Sequence, residues 1–114
     1  KFIRRLTPLE CERLQGFPDN WTDIGEWTDS NGKGHKESAN TGRYKAMGNS
    51  IALPPWRWVL SRLYKQFGRP ATMASLFDGV GGFPLIWREF GGETIWASEI
   101  EEFPIAVTKR RFGE

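Results

Sequence analysis

A chain of 114 residues suits one small domain, burying about two-thirds of its unfolded surface. Its single cysteine excludes an internal disulfide and a thiolate metal cluster, which points to a reducing compartment, and no apolar run approaches the length of a membrane span. The formal charge of +2 is uneven: residues 1 to 70 carry +5 and residues 71 to 114 carry −3, so the first half suits either a phosphate-backbone partner or a solvated polar face.

Thr7-Pro8-Leu9-Glu10 is a helix start, with Thr7 as cap, Pro8 in the first helical position and Glu10 able to complete a capping box. The helix runs to about Gln15 and stops at Gly16, with Leu9, Arg13 and Leu14 at helical spacing. From Asp19 to Gly42 the composition is that of a loop, with Trp21 and Trp27 as anchors. His35, the only histidine, lies among glycines and lysines with no second ligand beside it. Arg43 to Ile51 reads as a further loop, and Gly48-Asn49-Ser50 as an Asx-type turn. A helix follows from Pro54-Pro55 to about Phe67, with Trp56, Leu60, Leu63 and Phe67 on one face, stopped by Gly68-Arg69-Pro70.

Ala74 to Phe77 reads as a short buried strand running into the glycine-rich turn Asp78-Gly79-Val80-Gly81-Gly82. A helix over Phe83 to Phe90 follows, then a second strand, Thr94 to Ala97, and a last helix from about Pro104 to Arg111. Lys109, Arg110 and Arg111 suit the dipole at that helix's end and read as solvated. A glycine turn after a strand lets a ligand approach backbone, because glycine has no Cβ and tolerates positive φ. Glu99, at the tip of the next strand, is placed to accept hydrogen bonds from both hydroxyls of a ribose. From the residues alone, a nucleoside site and a plain strand-turn-helix corner both remain open.

The block Phe77-Asp78-Gly79-Val80-Gly81-Gly82-Phe83 resembles the first motif of the DNA cytosine-5 methyltransferases. Arg5 to Glu10 with Arg13 to Pro18 resembles the ninth motif of that family, and Arg43 to Ile51 the tenth. The ninth and tenth precede the first here, the order of a circularly permuted member. The resemblance implies a partial Rossmann-like α/β methyltransferase fold, an incomplete parallel sheet with flanking helices. Residues 1–70 would supply the blocks normally found at the C-terminal end, and residues 71–114 the start of the cofactor domain. It implies S-adenosyl-L-methionine as cofactor, held by Phe77, Gly79, Gly81, Gly82 and Glu99, with Asn49 and Ser50 near its amino-acid end.

In that family a cysteine after a proline attacks C6 of a flipped-out cytosine. Cys11 sits mid-helix between Glu10 and Glu12, a poor setting for a nucleophile, and is a small packing residue. No catalytic residue is therefore expected in this chain, which reads as a fragment of a restriction-modification type enzyme. Alternatives are one chain of a split enzyme or a non-catalytic remnant. Expected partners are duplex DNA in the complete enzyme, and either a second copy or a complementary chain along the open sheet. The expected location is the cytoplasm of a prokaryotic, phage or mobile-element host.

Overall fold

The computed structural model describes residues 3–113, a mixed α/β arrangement with one short antiparallel and one short parallel pair of strands. Helix α1, Pro8–Gln15, forms as its ends dictate. The Thr7 hydroxyl accepts the Glu10 N–H at 3.2 Å, a Glu10 carboxylate oxygen accepts the Thr7 N–H at 2.9 Å, and Gly16 closes the helix at φ 84°. Its inward face differs from the expected one. Pro8 and Glu12 are buried with Cys11 packed beside the core, whereas Leu14 is 71% exposed and Arg13 pairs with Asp19 at 2.7 Å. Helical spacing alone does not say which face meets a neighbour.

The segment after Gly16 is less irregular than its composition suggests. Phe17, Trp21 and Ile24 are buried, and strands β1 (Trp27–Thr28) and β2 (Gly34–His35) form a small antiparallel hairpin. His35 stacks on Trp27 with centroids 4.1 Å apart and meets Asp29 at 3.1 Å, which places it in a structural role. Helix α2, Asn40–Gly48, replaces the loop expected over Arg43 to Ile51. Arg43, Ala46 and Met47 are its buried residues, an i, i+3, i+4 set that only becomes meaningful once α1 packs against it.

Between α1 and α2 lies a buried polar knot. Glu12, fully enclosed, accepts on Oε1 from the Thr22 N–H at 3.0 Å, the Thr22 hydroxyl at 2.5 Å and Arg43 Nη2 at 3.1 Å. Arg43 Nε also donates to the Thr22 hydroxyl at 2.9 Å, while Glu12 Oε2 is buried without a hydrogen-bond partner. Three segments are thereby joined through one carboxylate.

Helix α3, Leu53–Tyr64, begins one residue before its prolines and ends three residues earlier than expected. Leu53 is buried and Leu60 packs on the core, but Leu63 faces outward; Tyr64 packs edge-on to Trp87 at 5.0 Å in its place. Strand β3 is Thr72–Ser75, not Ala74 to Phe77, and Leu76 and Phe77 are 65% and 90% exposed. It pairs in parallel with β4, Glu93–Ala97, through Thr72–Glu93, Met73–Thr94, Ala74–Trp96 and Ser75–Ala97, with an irregularity after Met73. With two strands and one helix, α4 (Gly82–Glu89), lying against them, much of β3 and β4 stays exposed.

Helix α5, Glu102–Phe112, completes the chain. Arg110 donates to the Ile24 carbonyl at 2.8 Å and the Glu26 carbonyl at 3.0 Å, and Arg111 to the Trp21 carbonyl at 2.9 Å. These two arginines are thus neither a purely solvated helix end nor free cations: they satisfy carbonyls of the loop before β1. One apolar core runs through both halves, from Trp21, Met47 and Leu53 to Val80, Ile86 and Val107. No helix among the described residues is long and apolar enough to cross a membrane.

Candidate functional site at the glycine turn

The turn after β3 is held from three sides. The Asp78 N–H donates to the Ser98 carbonyl at 2.8 Å and the Ser98 N–H to the Ser75 carbonyl at 2.8 Å, extending the parallel pairing beyond the strands. The Ser75 hydroxyl donates to Asp78 Oδ1 at 2.5 Å, with both residues buried. From the far side, Trp21 Nε1 donates to the Val80 carbonyl at 2.7 Å, so the loop after α1 fixes the middle of the turn.

The glycines divide by function. Gly81 caps α4 at φ 83°, and a Cβ there would stand 2.6 Å from Phe112 Cε2. Gly82 is enclosed by Ile51 and Leu53, both within 3.1 Å of where its Cβ would be. At these two, packing against the chain itself already leaves no room for a side chain. Gly79, at φ 59°, is the one whose Cβ would meet nothing within 4 Å. Phe77 at φ 51° presents its ring to solvent. Ile51 brings the block around Asn49 and Ser50 against the turn at Gly82, but Asn49 itself is exposed and ends α2, its N–H donating to the Lys45 carbonyl at 3.0 Å.

Glu99 is the centre of the arrangement. Its Oε2 accepts the Gly79 N–H at 2.6 Å, and its Oε1 accepts the N–H groups of Ile100 at 2.7 Å and Glu101 at 3.0 Å. Burial pushes its carboxyl up, but the amides of Glu101, Ile100 and Gly79 together outweigh this and hold it below the usual glutamate value. A carboxylate offers about four acceptor positions, so one remains on Oε2, enough for a single further hydroxyl. Asp78, Ala97 and Glu99 line a cavity of about 410 Å³ together with Arg88, Thr108 and Phe112. Of the residues expected to hold the cofactor, Glu99 lines it, whereas Phe77, Gly79, Gly81, Gly82, Asn49 and Ser50 do not. Among the described residues no group of three or more His, Cys, Asp or Glu is placed to hold a metal.

A sequence-level reading finds the turn and Glu99, yet misses Trp21 and Asp78 as its supports. Asp78 was visible within the motif, whereas a tryptophan fifty-nine positions from its acceptor leaves no local signal.

The C-5 cytosine-specific DNA methylase family matches residues 1–65, and the chain belongs to that family. It is 40% identical over 83 residues to a DNA N-6-adenine-methyltransferase of Escherichia phage P1, covering 55% of this chain and 11% of that protein. It is 36% identical over 75 residues to the type II methyltransferase M.HgiCI of Herpetosiphon aurantiacus, covering 66% and 14%. It is also 30% identical over 89 residues to the DNA (cytosine-5)-methyltransferase DRM2 of Oryza sativa subsp. japonica, covering 78% and 13%. The chain therefore spans well under a fifth of the length of these relatives.

Proposed function

We propose that this chain supplies the methyl-donor side of an S-adenosylmethionine-dependent DNA cytosine-5 methyltransferase. Residues 1–70 act as the blocks of its ninth and tenth motifs, and residues 71–114 begin a Rossmann-like cofactor domain. The observation that carries this reading is the Gly79–Glu99 pair. A glycine with open space at its Cβ position stands beside a carboxylate that keeps one acceptor position, and that carboxylate lines a cavity of about 410 Å³. When bound, the cofactor supplies an electrophilic methyl group. Glu99 would hold a ribose hydroxyl through Oε2, and a second only by releasing the Glu101 N–H, the longest of its three bonds. By the family resemblance, Phe77, Gly79, Gly81 and Gly82 would shape the backbone beside the ligand, and Asn49 and Ser50, which lie outside this cavity, would approach its amino-acid end. No side chain here is assigned to attack on the base. A complementary chain or a second copy covers the open sheet, and duplex DNA is the substrate of the assembled enzyme.

Calorimetric titration with S-adenosylhomocysteine tests the reading. Wild type should bind, and Glu99→Ala should bind roughly ten-fold more weakly, the worth of one charge-assisted hydrogen bond. Gly79→Ala should weaken binding as well, with no collision inside the chain because nothing lies within 4 Å of its Cβ, and only the conformational cost of φ 59° to bear. Equal binding by all three would place the ligand elsewhere.

A further inference from the structure

Helix α3 presents a second surface, on the side turned away from α4. Its inner side is occupied: Trp56 packs edge-on to Phe83 at 5.2 Å, Arg57 pairs with Glu89 at 2.8 Å, and Tyr64 meets Trp87. Trp58, Arg62 and Lys65, spaced i, i+4 and i+7, share the opposite side. There the Arg62 guanidinium lies over the Trp58 ring at 4.0 Å, and the indole is 60% exposed. With Ser61 and Gln66 these three line a shallow depression of about 350 Å³. From Leu53 to Pro70 the chain has four cations and no Asp or Glu. Arg57 is spent on Glu89, while Arg62, Lys65 and Arg69 have no carboxylate within ion-pair distance among the described residues.

We propose that this outer face of α3 is a contact surface for the phosphate backbone of duplex DNA, separate from the cofactor-side site. The charge pattern selects the partner. A duplex carries one negative charge per about 1.7 Å of its axis, a continuous polyanion, and a stripe of donors uninterrupted by acid matches it. Stacking on Trp58 holds the Arg62 fork in place at little entropic cost, with its in-plane N–H groups free for a phosphate. Lys65 adds a point charge and Gln66 a neutral donor, the usual mixture for backbone contacts that fix register without reading sequence.

Fluorescence anisotropy with a labelled mixed-sequence duplex, over about 50 to 200 mM salt, tests the proposal. Removing two phosphate contacts in Arg62→Gln/Lys65→Gln should reduce the slope of log K against log[salt] by roughly 1.8 and weaken low-salt binding by about ten-fold or more. Trp58→Ala should weaken it several-fold. Lys33→Gln/Lys36→Gln, flanking β2 and outside α3, removes the same charge and should change neither. An unchanged slope in the α3 variant, an equal loss in the hairpin variant, or no binding by wild type overturns the proposal. Displacement of the duplex by polyglutamate as readily as by unlabelled DNA also overturns it, in favour of an acidic protein partner. Titration of the same variants with S-adenosylhomocysteine should match wild type, so failure here stays distinct from failure of the cofactor reading.

Discussion

The Gly79 N–H donates to Glu99 Oε2 at 2.6 Å, and this bond closes the glycine turn against the tip of β4. The residue expected to hold a ligand is also the one that holds the turn in shape. If Glu99 holds the proposed cofactor, ligand affinity and local stability are coupled through one carboxylate.

That coupling has a pH signature. The folded-state pKa of Glu99 lies below its ordinary value of 4.5, so its contribution is complete above about that pH and is lost as the pH falls through the folded value. Because the group is partly exposed, Glu99→Gln should cost about 1 kcal/mol at neutral pH, or roughly 4–8 °C in Tm. Thermal melts across the acid range should show the gap between wild type and variant closing on acidification. A gap independent of pH would mean that the charge is irrelevant to the bonds.

The two left-handed glycines of the turn should respond differently to alanine. Gly79→Ala meets open space and should cost only the conformational penalty, about 1–2 kcal/mol. Gly81→Ala adds a collision with Phe112 and should cost more, with partial recovery in Gly81→Ala/Phe112→Leu. Urea denaturation of the set measures both, and equal costs would contradict the packing of α5 over Gly81.

Glu12 should be hard to remove alone. Glu12→Ala leaves the buried Arg43 without its carboxylate and should cost about 3–5 kcal/mol, a large part of a small domain's stability. Glu12→Leu/Arg43→Met removes both charges and the orphaned Oε2 together, and should fall far short of that loss. Denaturation midpoints for the single and paired variants give the coupling directly. Additive effects would show that the pair does not act as a unit.

The chain alone is expected to transfer no methyl group. Its one thiol, Cys11, is packed against the core from α1 and belongs to no base-nucleophile pair. Incubation with tritiated S-adenosylmethionine and mixed-sequence duplex should give background incorporation for wild type and Cys11→Ser alike. Incorporation that survives the substitution would require a transfer chemistry without cysteine.

Local chemistry determined what was legible in the sequence. The start and stop of α1, the glycine turn, α4, β4 and the place of Glu99 could all be read because caps, turns and short periodic runs act within a few residues. The membership of the family was legible for the same reason, since its motifs are contiguous blocks. Tertiary structure decided the rest. Helix α2 has weak local signals and is defined by burial of Arg43 and Met47 against partners supplied from elsewhere in the chain. Arg110 and Arg111 read as a charged helix end until the loop of Ile24 and Trp21 comes within reach of them. Nothing near Glu12 in sequence announces a buried cation thirty-one positions away. A buried charge is tolerable only beside its partner, and that proximity is a property of the fold rather than of either residue.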